Sequence, residues 1–171
     1  MFRTHGLYLK ARRRSTHKLY AVHHGGRESI EVFELNAGTN PPAIAWIGCA
    51  VAPDPIGVNA VVALPDGGFA ATNFDPRPAP GTGARGGGLG AKLLSGEQNG
   101  ELWEWHTKTG WTKVPGSEAA GANGLELSSD GNWYYVAEWG TAHHAALERQ
   151  DAAGSSRDFA WLPRGQRALV A

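Results

Sequence analysis

Cysteine is nearly absent. Cys49 stands alone, so no disulfide can form within the chain, and its neighbours Gly48 and Ala50 sit in an apolar stretch that suits packing. That leaves the redox compartment open. Net charge is also lacking, because 16 Lys and Arg balance 16 Asp and Glu. Nothing global therefore draws the protein to nucleic acid or to an anionic membrane, and neither is expected as a partner. Arg12-Arg13-Arg14 is the only dense basic run, and it reads as a solvated turn rather than a phosphate-binding patch. No apolar run approaches the roughly 18 residues that span a bilayer, and the first residues carry no apolar signal core. No Gly-x-Ser-x-Gly elbow supplies a serine nucleophile. Gly81-Thr82-Gly83-Ala84-Arg85-Gly86 spells a dinucleotide fingerprint, but it follows Pro-rich coil and opens no helix.

What is abundant is turn chemistry. The 171 residues include 24 Gly, 10 Pro and 7 Trp with only 19% charged side chains, a mixture that fits short strands and tight turns. One phrase recurs. Residues 59–72 and 123–137 each open with Asn, run through a short apolar strand, reverse at Asp66-Gly67 or Asp130-Gly131, and return through aromatic or apolar residues. Asp-Gly between apolar runs is a strong hairpin signal, because Gly accepts the positive φ such turns require. Weaker copies start at His5 and near Phe159. Residues 29–35, 43–51, 101–105 and 111–114 supply further strands between these hairpins. Four strands per unit is the sheet of a propeller blade, so the expected fold is all-β, an incomplete β-propeller of about three to four blades in one domain over residues 1–171. The Gly/Pro-rich stretch 76–90 reads as an inserted loop. A β-sandwich is the rival, but sandwiches do not require phrases to recur.

In a propeller the inner strand of each blade lines the central channel, so equivalent positions meet around the axis. Aligning the hairpins places His5, Asn59, Asn123 and Arg157, with Asp158 beside it, at one channel mouth. The returning strands deliver His24, Asn73 and Glu138 to the same mouth. Asn carbonyls are hard oxygen donors that suit Ca²⁺, and imidazole is the side chain best suited to proton transfer near neutral pH. His17, His23, His106, His143 and His144 have no such position in the repeat and read as ordinary surface or core groups.

Three stretches together resemble the paraoxonase/arylesterase family and the gluconolactonase-like propellers. The first is Thr4-His5-Gly6-Leu7 with Leu19-Tyr20-Ala21-Val22-His23-His24-Gly25 and Ser29-Ile30-Glu31-Val32-Phe33. The second is Val58-Asn59-Ala60-Val61-Val62-Ala63 with Phe69-Ala70-Ala71-Thr72-Asn73. The third is Ala122-Asn123-Gly124-Leu125-Glu126-Leu127-Ser128-Ser129-Asp130-Gly131 with Tyr134-Tyr135-Val136-Ala137-Glu138. The resemblance implies a six-bladed calcium-dependent propeller that hydrolyses lactones or aryl esters. It implies Asn59 and Asn123 as ligands of the catalytic calcium, and His5 and His24 as the pair that activates water. The chain departs from the family in three places. The acidic calcium ligand of the first blade has no counterpart here, Arg157 stands where an Asp is expected with Asp158 as substitute, and His23 replaces a usual Asn.

The expectation is accordingly a lactone or aryl-ester hydrolase with Ca²⁺ as cofactor, impaired by truncation. On this reading the first and last blades, and an upstream segment that includes any signal, are missing. The alternative is a non-catalytic propeller fragment or decayed gene product that acts as an interaction module and self-associates through its open edges.

Overall fold

The computed structural model describes residues 1–12, 14–76, 92, 94–141 and 144–149, and the backbone of Phe159–Leu162. These residues form twelve strands. Strands β1 (Thr4–Ala11), β2 (Thr16–His23), β3 (Ser29–Asn36) and β4 (Ala43–Val51) make the first sheet. Strands β5 (Val58–Ala63), β6 (Phe69–Asn73), β7 (Glu101–His106) and β8 (Gly110–Lys113) make the second. Strands β9 (Ala122–Leu127), β10 (Trp133–Glu138), β11 (His144–Glu148) and β12 (Phe159–Leu162) make the third. Each sheet is an antiparallel meander in chain order, and β5 lies between β1 and β9. Three four-stranded blades with adjacent first strands are an incomplete, propeller-like β fold.

The turns follow from the sequence. Gly67 takes φ of 102° and Gly131 takes 78°, values that L side chains rarely adopt. Before Gly131, Ser128 Oγ donates to Asp130 at 2.5 Å and accepts the Trp133 amide at 2.9 Å, which closes the β9–β10 reversal.

Alternation along the strands builds two apolar layers. Val61, Ala63, Phe69 and Ala71 of the second blade pack with Tyr20, Val22 and Ile30 of the first. Val62, Leu64, Ala70 and Leu102 face the other way, onto Tyr134, Val136 and Leu147 of the third. The middle blade is therefore covered on both faces, and every residue of β6 is buried. Phe69 stacks on Trp105 with centroids 5.2 Å apart and meets the edge of Trp111 at 5.5 Å. Full burial of a side chain such as Phe69, Leu102 or Leu147 contributes roughly 1.5–3 kcal/mol.

A hydrogen-bonded cluster ties the second and third blades at the end where these turns lie. Arg149 donates to Asp66 at 2.6 Å and to Glu104 at 3.3 Å, while the Tyr134 hydroxyl donates to Glu104 at 2.5 Å. Burial, and then the Glu104 charge, push the Tyr134 phenol far above its ordinary pKa. His106 sits 3.2 Å from Glu104 and 3.8 Å from Asp66.

One hairpin differs from expectation. Phe159–Leu162 does not open a fourth blade; it pairs with β11 as the outer strand of the third. The reason is that β11, His-Ala-Ala-Leu-Glu, supplies the third strand of that blade. Of the expected inserted loop, 76–90, all but Pro76 lies outside the described residues.

Candidate functional site

All three first strands carry the same irregularity. Thr4 pairs with His23 and Leu7 with Ala21. Val58 pairs with Asn73 and Val61 with Ala71. Ala122 pairs with Glu138 and Leu125 with Val136. In each case one extra residue is inserted opposite the returning strand, which is a β-bulge and re-aims the side chains within it. The first bulge residues are His5, Asn59 and Asn123, so these three hold one structural position in successive blades. Gly6 follows His5 because the blades approach closely there: a Cβ on Gly6 would stand 2.4 Å from the Asn59 carbonyl oxygen.

The returning strand of the first blade differs from expectation by one residue. The register makes His23, not His24, the counterpart of Asn73 and Glu138. All three are buried and perform one structural task, which is to accept a backbone N–H from the segment entering the first strand. His23 Nδ1 accepts from Arg3 at 3.1 Å, Asn73 Oδ1 from Gly57 at 2.8 Å, and Glu138 Oε2 from Ala120 at 3.3 Å. His23 then donates from Nε2 to the Gly25 carbonyl at 2.9 Å. His24 has different counterparts. Its amide bonds the Arg3 carbonyl as Phe74 bonds Gly57 and Trp139 bonds Gly121. His24, Phe74 and Trp139 thus share the next repeat position, at the rim. Phe74 and Trp139 meet with centroids 6.0 Å apart, and Trp139 is 65% exposed.

His5 and His24 come together. His5 Nδ1 lies 3.1 Å from His24 Nε2, and His24 Nδ1 lies 2.8 Å from Glu28 Oε1. Glu28 is buried, and the same oxygen accepts the Val58 amide at 2.9 Å. With His24 neutral, the partners fix where the protons lie. The Glu28 carboxylate can only accept, so His24 carries its proton on Nδ1; neutral His24 then accepts at Nε2 from His5 Nδ1–H. That leaves the lone pair of His5 on Nε2, on an exposed side chain. The arrangement is a line of base, relay and anchoring carboxylate. Nothing in the sequence beside Glu28 marks it as part of a site. Its partners are four residues away on one side and thirty on the other, and only the closed fold brings them together.

Asn59 and Asn123 are half-buried. The buried Glu138 pairs with Ala122, the residue before Asn123, and among the described residues its carboxylate Oε1 has no hydrogen-bond partner. Two amide carbonyls and an orphaned carboxylate oxygen are donors of the kind that a hard cation takes. Among the described residues no group of three or more His, Cys, Asp or Glu side chains has metal-binding geometry, so a tight site needs further carboxylate charge. Asp158, expected to supply it, lies outside the described residues, as does Arg157.

No protein-family model matches the chain, and no curated protein sequence is similar to it. The resemblance to paraoxonases and gluconolactonases therefore rests on the residues quoted above. Among solved structures, the chain is similar to the hydrazine synthase of Kuenenia stuttgartiensis, a β-propeller-containing protein. The TM-score is 0.50 at 15% identity, over 81% of this chain and 38% of that one. At that identity the likeness shows a propeller-like fold and nothing of the chemistry.

Proposed function

We propose that the chain is a calcium-dependent hydrolase of lactones or aryl esters, and the line His5–His24–Glu28 is the observation that carries this reading. An exposed imidazole nitrogen backed by a second imidazole and a buried carboxylate is suited to take a proton from water at neutral pH. In the reaction, His5 Nε2 accepts the proton as the water oxygen bonds to the ester carbonyl carbon. The tetrahedral adduct then collapses, the C–O bond to the leaving group breaks, and His5 returns the proton to the departing oxygen. Glu28 steadies the relay, because its charge favours the proton on His24 Nδ1 and offsets the positive charge that develops on the pair. Calcium, held by Asn59 and Asn123 with Asp158 completing the charge, would polarise the carbonyl. Phe74 and Trp139, at the repeat position of His24, offer an aromatic surface for an aryl or apolar ester group.

The test is hydrolysis of a panel of lactones and phenyl esters by the purified chain, with calcium and with chelator. Calcium-dependent turnover that His5→Gln removes supports the reading. Absence of turnover under both conditions overturns it.

A second reading, a non-catalytic self-associating module, is favoured by the outer face of the first blade. Leu9, Leu19, Phe33 and Trp46 form one cross-strand row there, and Leu9 and Trp46 are 50% and 58% exposed. A groove of about 850 Å³ runs along this face. Its occupant on this reading is a second copy, whose third blade presents Trp133 and Tyr135 on its own outer side and so continues the stacking that joins the blades within one chain. Light scattering over a range of concentrations decides: a chelator-insensitive oligomer that Trp46→Glu dissolves supports it, and a monomer throughout overturns it.

A further inference from the structure

The first hairpin carries an unusual cross-strand pair. Lys10 on β1 stands directly opposite Lys18 on β2. Like charges in that relation repel, and the pair destabilises the sheet. Arg12 follows two residues after Lys10 and so returns to the same side of the hairpin, as Thr16 and Tyr20 do around Lys18. These five residues, with Pro65 and Gly67 from the β5–β6 turn, line a groove of about 630 Å³ where the first blade meets the second.

Among the described residues no carboxylate lines this groove. Among the described residues none forms an ion pair with Lys10, Arg12 or Lys18. Asp66 lies near enough to act on Lys10 electrostatically, but Arg149 holds it at 2.6 Å. Glu34 is paired across from Lys18 on β3, where it is exposed and forms no ion pair with Lys18. Lys10 is fixed in place by donating to the Leu64 carbonyl. Three cations and two hydroxyls thus converge on one concavity, with Asp66 and Glu34 nearby but outside its lining.

We infer that this groove is a binding site for a phosphate group, separate from the proposed hydrolytic site. The donor set suits a tetrahedral dianion: two ammonium groups on opposite strands, a guanidinium that can bridge two oxygens, and the Thr16 and Tyr20 hydroxyls. A bound dianion would also relieve the Lys10–Lys18 repulsion. Burial lowers the Lys10 pKa; the Asp66 charge opposes that, and Lys18 and Arg12 lower it further. The groove is larger than a bare phosphate, which leaves room for the organic part of a small phosphate monoester.

The test uses the whole chain at low ionic strength with calcium absent, so that it is independent of hydrolysis. Inorganic phosphate and glycerol phosphate are titrated while amide NMR shifts and melting temperature are followed, with chloride at matched ionic strength as control. Saturable shifts at Lys10, Lys18 and Tyr20 are expected, together with a rise in melting temperature. Lys18→Gln is expected to weaken binding about tenfold or more and to raise the melting temperature of the ligand-free protein. Tighter binding of glycerol phosphate assigns a monoester; equal or weaker binding assigns the free ion. No saturable response up to about 10 mM, a response that chloride reproduces, or one that Lys18→Gln leaves unchanged overturns the inference.

Discussion

Glu28 and Val58 are joined across a blade boundary. The Glu28 carboxylate accepts the Val58 amide at 2.9 Å while its same oxygen holds His24. The orientation of the proposed base is therefore coupled to the docking of the second blade on the first. Asn99 does comparable work at the next boundary, where its Oδ1 accepts the Gly121 amide at 2.9 Å. A neutral amide suffices there, and no histidine is attached.

Glu28→Gln should separate these tasks. Its amide oxygen can still accept from Val58 and from His24, so unfolding in urea should move by less than about 1 kcal/mol. The negative charge behind the relay is lost, and ester hydrolysis should fall by about tenfold or more. Glu28→Ala should lose both activity and stability, the latter by about 2 kcal/mol from the unpaired Val58 amide. Equal behaviour of the two variants in denaturation would contradict the assignment.

His24→Gln should lower turnover by about a hundredfold and leave calcium affinity nearly unchanged, as measured by calorimetry. Asn123→Ala should do the reverse and weaken calcium first. Parallel losses of both quantities in both variants would remove the division of roles.

Gly6→Ala probes the contact between the first and second blades. The new methyl must displace the Asn59 carbonyl, so a cost of about 1–3 kcal/mol is expected in denaturant unfolding. The Asn59 side chain moves with its backbone, and calcium affinity should fall too. Ala60→Gly, on the neighbouring strand, serves as a control without the collision.

Acid should loosen the junction at Asp66. Burial works against its ionisation, yet the hydrogen bond and charge of Arg149 hold its pKa below the ordinary value of 3.8. A depressed carboxylate contributes stability above its unfolded pKa and loses it as pH falls through the folded value. The loss should therefore appear below about pH 4. Asp66 is about half exposed, so the contribution is held to about 1 kcal/mol or less. Asp66→Asn keeps the turn chemistry and should flatten that part of the stability profile between pH 6 and pH 3, read by urea unfolding.

The blades were legible where local chemistry dictates structure. Asp66-Gly67 and Asp130-Gly131 specify reversals whatever surrounds them, and the phrase they punctuate set His5, Asn59 and Asn123 in one position. Register was less legible. A bulge adds a residue without leaving a mark on hydrophobic alternation, so the repeat pattern sets His24 against Asn73 when its counterpart is Phe74. The third blade misled for another reason. His144-Ala145-Ala146-Leu147-Glu148 has weak strand propensity, and it pairs because β10 offers an edge beside it. Contacts such as Glu28 to Val58 join residues whose own neighbours give no hint of the meeting.

The repeated bulge also bears on how such a scaffold changes over evolutionary time. One backbone shape carries imidazole in one blade and carboxamide in the next two, and the side chain it presents is not a core residue. Substitution there changes reactivity without asking the sheet to repack, so a duplicated blade brings with it a position already released from folding constraints. New chemistry can then arise one residue at a time around a common axis, while the apolar faces between blades must keep their packing.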